Sequence, residues 1–401
     1  MIPMEEKWAR LTQPYQQTPD PRHLDVLDGV RALCVLLVGW FHIWQQGWLS
    51  PTLPGPGGGV SLDFLLRSGY IWVDGLLLLS GFLLYLPYAQ AGTRLPGIVP
   101  FYKRRLIRIL PSYLLCVLPM FVLSCMRGRY GSAGDAIRDL AAHLTFTHNL
   151  FPFSYFYSPI NGALWTLAVE MQFYLLFPFL ARFFRKKPLL TYLGMAGAAF
   201  AFRCFASRQP DTSMYFNQLP AFLDVYANGF LAASVFAALR KKLGGEADKK
   251  IKLFFTAAAV ICVCHMMQIA RSQAASAGYD LIRQGQMDRR FPLSATLACF
   301  MLCAAFSLPG MRFLLGSPVM RFLSSVSFQF YIYHQMLAVK LKEWGFPPSE
   351  YSSPWSQGDY RWQFNYTLSC FLLALILATL ITYLFERPIA RVLRRRTKAE
   401  Q

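Results

Sequence analysis

The chain has 401 residues, of which 55% are hydrophobic, 16% are aromatic and only 15% are charged. Soluble domains carry about 25% charged residues, so this composition excludes an ordinary soluble protein and indicates an integral membrane protein. The formal net charge of +19 would suit nucleic acid, but the basic residues concentrate between apolar runs. Membrane topology explains that distribution, and we expect no nucleic acid partner.

Apolar runs long enough to cross a bilayer, about 20 residues each, predict an all-α fold of about ten transmembrane helices. The first run contains Arg31 and His42 and lacks a small-residue cleavage site, so we expect it to remain in the mature protein. One membrane domain (27–386) is predicted between two cytoplasmic tails (1–26 and 387–401). The predicted spans are 27–46, 70–90, 110–126, 163–181, 189–206, 219–238, 253–270, 292–308, 322–340 and 367–386.

The distribution of Lys and Arg predicts the orientation. With a cytoplasmic N-terminus, the inner segments hold 26 of these residues and the outer segments hold 13. Because inner loops are enriched in positive charge, both termini are expected in the cytoplasm. Anionic membrane lipids are the expected partners of the basic segments, and the expected location is a bacterial plasma (inner) membrane. The sequence does not predict an oligomeric state.

The first span carries a pair of ionisable residues on one helix face. Arg31 and His42 are 11 residues apart, which is three helical turns plus about 20° and ~16 Å along the axis. Asp28 lies three residues before Arg31 and is placed to pair with it. A snorkelling Arg31 and a structural His42 are the alternatives for each residue taken alone.

Ionisable groups in other spans recur at one depth. Asp74, Glu170 and His334 are all predicted in the outer half of the membrane, as is His42. Such groups are costly in hydrocarbon and mark functional sites by default. We therefore expect a polar pocket open to the outer side.

A basic cluster precedes the third span on the inner side. Arg105 and Arg108 are one helical turn apart, so both guanidinium groups can grip one phosphate or diphosphate. Lys103 and Arg104 add charge, and a plain positive-inside cluster is the alternative.

Neither a metal centre nor a soluble domain is expected. The nine cysteines lie mostly inside spans and form no four-ligand zinc pattern. The longest outer segment (127–162) is too short for a domain, but Ile137, Leu140 and Leu144 recur at the spacing of a short interfacial helix.

Six motifs in order resemble the acyltransferase-3 family of integral membrane O-acyltransferases, over about residues 24–388. They are Leu27 to Leu33 with the Arg31 and His42 pair, Trp72-Val73-Asp74 leading to Ser80-Gly81-Phe82, Tyr102 to Pro111 with Arg105 and Arg108, Leu164 to Tyr174 with Trp165 and Glu170, Tyr331-Ile332-Tyr333-His334, and Phe385-Glu386-Arg387-Pro388. Thr166 stands where the family usually has serine.

The resemblance implies transfer of an acyl group, usually acetyl, from cytoplasmic acyl-CoA to a hydroxyl of an extracytoplasmic glycan. On that basis the expected catalytic residues are His42, Glu170 and Arg31, and the CoA-binding residues are Arg105, Arg108, Arg104 and Lys103. Supporting or acceptor-binding roles fall to Asp28, Asp74, Trp165, Tyr331 and His334. The fused periplasmic esterase-like domain often found in the family is expected to be absent.

His42 suits a general base because its unperturbed pKa of about 6.5 lies near working pH. Glu170 would orient His42 or bind the sugar, and Arg31 would serve Asp28, the donor or the developing oxyanion. The acyl group either passes directly to the acceptor or first to a residue of the enzyme. A transporter or flippase of a glycan or lipid precursor is the first alternative function, and a non-catalytic membrane scaffold or receptor is the second.

Overall fold

A computed structural model describes residues 24–55, 59–89, 97–243 and 248–399. These residues are mostly helical, with one short antiparallel strand pair, β1 (Thr52–Leu53) and β2 (Val60–Ser61). The predicted all-α membrane fold is confirmed. Of the predicted N-terminal tail (1–26), residues 1–23 lie outside the described residues.

The helices follow the chain with short connections. They are α1 (Asp25–Gly47), α2 (Asp63–Arg67), α3 (Val73–Ala89), α4 (Ile98–Met126), α5 (Ala133–Leu144), α6 (Pro152–Tyr155), α7 (Trp165–Lys186), α8 (Pro188–Ala206), α9 (Leu223–Leu243), α10 (Lys249–Ala274), α11 (Tyr279–Ala305), α12 (Pro309–Leu315), α13 (Pro318–Glu343), α14 (Tyr360–Ile381) and α15 (Arg387–Ala399). Single 3-10 turns precede α3, α7 and α9 at Gly69–Trp72, Gly162–Leu164 and Leu219–Phe222, another lies at His148–Leu150, and a π turn at Thr382–Glu386 joins α14 to α15.

Each of the ten predicted spans coincides with a long helix. By length and apolar composition, eight helices of the described chain qualify to cross a membrane. A ninth is reached if α11, from Leu281, and α12 to α13 are taken as one span that bends by 118°. The sequence predicted about ten, and the difference lies in α11 and α13, each of which carries several charged residues near one end.

Helix α1 lies at the centre of the packing and contacts α3, α11, α12, α13 and α14. Three of its glycines allow these approaches. A Cβ atom at Gly29 would lie 2.3 Å from the backbone oxygen of Leu315, and one at Gly39 would lie 2.6 Å from the Phe330 ring. At Gly47 the corresponding distance to a ring of α14 is 2.7 Å. Side chains at these positions would force α1 away from its neighbours.

The segment between α4 and α7, which the sequence predicted on the outer side, forms a small layer that is called the outer layer below. Its main helix, α5, buries Asp139 and His143 and leaves Ile137 68% exposed. Ser132 caps this helix by accepting a hydrogen bond from the Asp135 backbone N–H. A short helix is therefore present where the sequence predicted one, and its position at the membrane interface stays a prediction.

Candidate active site

His42 and His334 meet between α1 and α13, with ring centroids 5.2 Å apart. His42 is partly exposed, and its Nδ1 lies 3.1 Å from the amide oxygen of Gln45. His334 is 1% exposed, and its Nδ1 lies 2.8 Å from the Tyr331 carbonyl oxygen. With oxygen acceptors at both Nδ1 atoms, the protons of the neutral rings sit on Nδ1 and leave both Nε2 atoms as acceptors.

Gly39 gives these rings their space. A Cβ at that position would lie 3.7 Å from Cδ2 of His334 and would overlap the Phe330 ring, which stacks on His334 at an interplanar angle of 7°. Nε2 of His334 is buried and has no hydrogen-bond partner within the described part of the chain. The pair thus places an unengaged acceptor behind the more accessible His42 ring.

Glu170 forms hydrogen bonds with residues other than His42, the partner that the sequence suggested for it. Its Oε1 accepts hydrogen bonds from the Ser80 hydroxyl at 2.8 Å and from the Tyr174 hydroxyl. Arg31 is close enough to both Glu170 and Tyr174 to interact electrostatically with them. The structure therefore brings Arg31 together with Glu170 and gives His42 the neighbours Gln45 and His334.

The predicted donor-binding cluster lies near the same residues. Arg108 interacts electrostatically with Arg31, and the Arg105 guanidinium lies 5.5 Å from the centroids of both the Phe101 and Tyr174 rings. Nε of Arg105 is buried and has no hydrogen-bond partner among the residues that the structure describes. Three guanidinium groups thus converge on the Glu170 and Tyr174 pair. Lys103 and Arg104 lie on the same helix and are exposed.

Asp74 forms a second buried cluster, with a partner that sequence patterns did not reveal. Its Oδ2 lies 3.3 Å from Nε of Arg290, and the two residues are 1% and 0% exposed. The eighth predicted span begins at residue 292 and leaves Arg290 outside it, but α11 begins at Tyr279 and carries Arg290 into the protein. The sequence signal for a buried arginine here is its position directly before an apolar run.

Arg290 also organises its surroundings. Its guanidinium donates to the Phe216 carbonyl oxygen at 2.8 Å and lies 3.7 Å from the Phe222 ring centroid. The Phe222 ring stacks on Trp165 at 6.0 Å. A second pair, the partly exposed Arg203 with the buried Asp224 at 2.6 Å, is close by. The two pairs together carry no net charge.

Two further predicted residues lie in the packing around these clusters. Asp28 accepts a hydrogen bond from Ser324 of α13 at 2.7 Å and also interacts electrostatically with Arg31. Tyr331 is 6% exposed and lies near Glu170 and Tyr155. Tyr331 therefore connects the histidine pair, the Glu170 cluster and the outer layer.

The outer layer holds a third buried polar cluster. Asp139 accepts hydrogen bonds from Ser154 and Ser158, and the His143 ring stacks on His148 at 4.3 Å. Burial opposes ionisation of Asp139, but hydrogen bonds from His143 and the two serines outweigh it and hold the carboxyl pKa below its ordinary value. Burial, together with the nearby His143, lowers the pKa of His148 to about 3.

A family model described as an acyltransferase domain matches residues 24–391, which include all three clusters. The chain belongs to the acyltransferase-3 family. The resemblance found in the six motifs is thereby confirmed over nearly the whole chain.

Three acyltransferase relatives match about two fifths of the chain. The O-acetyltransferase OatA of Staphylococcus aureus (strain NCTC 8325 / PS 47) is 33% identical over 170 residues, 41% of this chain and 25% of the relative. The putative peptidoglycan O-acetyltransferase YrhL of Bacillus subtilis (strain 168) is 30% identical over 173 residues, 41% of this chain and 24% of the relative. The acyltransferase MdmB of Streptomyces mycarofaciens is 29% identical over 167 residues, 41% of each chain. The match therefore spans about a quarter of OatA and YrhL, and no solved structure matches the chain.

Proposed function

We propose that this protein is a bacterial plasma-membrane O-acyltransferase that moves an acyl group, most simply acetyl, from cytoplasmic acyl-CoA to a hydroxyl of an extracytoplasmic or membrane-associated glycan. The observation that carries the proposal is the convergence of Arg31, Arg105 and Arg108 near Glu170 at one end of α1, with His42 and His334 at the other. Family membership and the names of OatA and YrhL support the same reaction class.

The basic residues fit a phosphate-bearing donor. Arg105 has a buried Nε without a partner among the described residues, and an unpaired buried donor is costly unless a ligand satisfies it. Guanidinium groups bind phosphate oxygens in a bidentate manner. Arg105 and Arg108 would hold the CoA phosphates with Lys103 and Arg104, and acyl-CoA would supply the activated thioester. For the acyl group to reach an acceptor on the outer side of the membrane, residues of α1 would have to guide the acyl end of the donor outward.

His42 would act as the general base for the acceptor hydroxyl. Its Nδ1 proton is directed to the Gln45 amide oxygen, so Nε2 is free to accept the proton of the attacking hydroxyl and later return it to the leaving thiolate. The Gln45 contact fixes the ring orientation. In this assignment the acceptor hydroxyl attacks the thioester carbonyl directly and the CoA thiolate leaves, so the acyl group forms no bond to the enzyme.

Glu170 would stabilise positive charge near the donor rather than orient His42. It accepts hydrogen bonds from Ser80 and Tyr174 and lies close to Arg31 and to Arg105. A carboxylate held by two hydroxyl donors has a defined position. Arg31 would therefore be fixed between Glu170 and Asp28, with its charge directed at the donor.

The first experiment measures donor binding. Acetyl-CoA should raise the thermal unfolding midpoint of the detergent-purified protein, because a ligand that binds only the folded state stabilises it. Protection should be lost in the Arg105→Ala, Arg108→Ala double variant. A matched double variant, Arg312→Ala with Arg321→Ala, removes two exposed arginines and should retain protection. Equal loss in both pairs would argue against a CoA site at Arg105 and Arg108.

The second experiment measures transfer of labelled acetyl from acetyl-CoA to peptidoglycan glycan fragments in proteoliposomes. His42→Gln should lower turnover by about 10²–10⁴-fold, the contribution of a positioned general base, while acetyl-CoA protection persists. Turnover at the wild-type level in a folded His42→Gln protein would eliminate His42 as the base. Export of an unmodified glycan without acetyl transfer would instead support the transporter alternative.

A further inference from the structure

Several buried polar atoms on the outer side lack hydrogen-bond partners within the described residues. They include Oγ1 of Thr212, Oδ1 of Asn217, Nη2 of Arg290 and Oδ1 of Asp74. Their residues are 7%, 7%, 0% and 1% exposed, respectively. Such groups cost free energy in a folded protein unless another molecule satisfies them.

These groups belong to one local structure. Thr212 begins a turn in which its carbonyl oxygen accepts hydrogen bonds from the Tyr215 and Phe216 backbone N–H groups. Arg290 holds the end of this turn through the Phe216 oxygen, and Asp74 pairs with Arg290. Thr212 and Asn217 therefore lie on one turn-forming segment, and Arg290 of α11, which contacts this segment at Phe216, pairs with Asp74 of α3.

The turn is joined to the outer layer and through it to the candidate active site. Asn217 Nδ2 donates to the Tyr155 hydroxyl at 2.9 Å, and Oδ1 of the same amide has no hydrogen-bond partner in the described part of the chain. Tyr155 lies near Tyr331, and the Tyr331 ring centroid is 5.6 Å from that of His334. A chain of contacts thus leads from the histidine pair to the turn.

The chemistry of the turn selects a class of ligand. Arg203 and Arg290 are balanced by Asp74 and Asp224, so the cluster has no excess charge with which to attract an ion. It offers both acceptors and a donor, and Trp165 adds a partly exposed aromatic side chain beside Phe222. A neutral molecule with several hydroxyl groups matches this combination, because each hydroxyl both donates and accepts.

The geometry points to an acceptor subsite for a neutral sugar, formed by Thr212, Asn217 and Arg290 and lying outward of the histidine pair. It rests on the proposed function, since a sugar there serves as the acyl acceptor. Asn217 Oδ1 accepts from one sugar hydroxyl, Arg290 Nη2 donates to a ligand oxygen, and Thr212 bonds a second hydroxyl. Trp165, whose ring stacks on the buried Phe222, supplies the partly exposed aromatic side chain beside these groups.

The decisive variant is Thr212→Val, which keeps the side-chain shape and removes a hydroxyl that makes no hydrogen bond to any described residue of the protein. Its unfolding midpoint should match that of the wild type or exceed it. The KM for peptidoglycan glycan fragments should rise about three- to tenfold, the value of one lost hydrogen bond, with kcat and acetyl-CoA protection unchanged. Ser213→Ala is the matched control, because that hydroxyl already donates to Asp211. It should leave the KM unaltered.

A second pair of variants tests Asn217. Tyr155→Phe breaks the hydrogen bond between Tyr155 and Asn217 but keeps Oδ1, whereas Asn217→Ala removes both. The KM for glycan should therefore rise further in Asn217→Ala than in Tyr155→Phe. A wild-type KM in both Thr212→Val and Asn217→Ala overturns the subsite while leaving acyl transfer intact. Absence of transfer by the wild-type protein overturns the proposed function itself and the sugar assignment with it.

Discussion

Loss of the Arg290 side chain should destabilise the protein strongly, because it leaves Asp74 as a buried charge without its partner. Arg290 is 0% and Asp74 is 1% exposed, and Nε of Arg290 lies 3.3 Å from the carboxylate. Breaking a buried ion pair from one side costs about 3–5 kcal/mol. Arg290→Met also removes the hydrogen bond to the Phe216 carbonyl, so the upper end of that range is expected.

Replacing both partners should recover much of the loss. In the Asp74→Leu, Arg290→Met double variant no uncompensated charge remains from this pair, and apolar replacements of a buried pair are often neutral or stabilising. The unfolding midpoints of the wild type, the two single variants and the double variant, measured in one detergent, complete a double-mutant cycle. Arg67→Met is the control, since the Arg67–Asp63 pair is 52% and 30% exposed and should contribute about 0–1 kcal/mol. If the double variant loses the sum of the two single effects, the pair is not coupled and the reasoning fails.

Two other predictions concern the outer layer and the packing of α1. The pKa of His148 falls from about 6.5 in the unfolded chain to about 3 in the folded protein. Between these values the unfolded state binds more protons than the folded state. The free energy of unfolding should therefore fall as the pH falls through that window, by at most about 1.4 kcal/mol per pH unit. His148→Phe keeps an aromatic ring but cannot titrate, so the unfolding midpoint should depend less on pH between pH 6.5 and 4.5. An unchanged slope would assign the acid sensitivity to another group. Gly29→Ala should lower the unfolding midpoint markedly because its Cβ would meet the Leu315 backbone oxygen at 2.3 Å. Gly194→Ala in helix α8, whose Cβ would meet no described residue within 4 Å, should be neutral or slightly stabilising. Equal midpoints for these two variants would contradict the close approach of α1 and α12.

Local sequence patterns predicted the features of the structure that depend on interactions between residues close in the chain. The apolar runs located the helices because each span must satisfy its backbone hydrogen bonds within itself. The spacing of Arg31 and His42 predicted one helix carrying both residues, and α1 contains them without a break. The six motifs identified the family.

Pairings between distant segments could not be obtained in this way. Asp74 and Arg290 are 216 positions apart, and no periodicity connects them. The same holds for Glu170, whose hydroxyl partner Ser80 is 90 positions away. Equal predicted depth suggested one pocket, whereas tertiary packing divides the ionisable residues into distinct clusters. The outer start of α11 was missed because charged residues there resemble a loop when hydropathy alone is considered.

The three close contacts of α1 fix the position of this helix along its own axis. A shift along its axis by the rise of a single residue, about 1.5 Å, would move Gly29, Gly39 and Gly47 out of register and drive larger neighbouring residues of α1 into α12, the Phe330 ring and α14. The separation between the arginine end and the histidine end is therefore a constant of the fold. A donor that extends from one end to the other must match this fixed distance. Any motion during a catalytic cycle must come from helices that pack around α1.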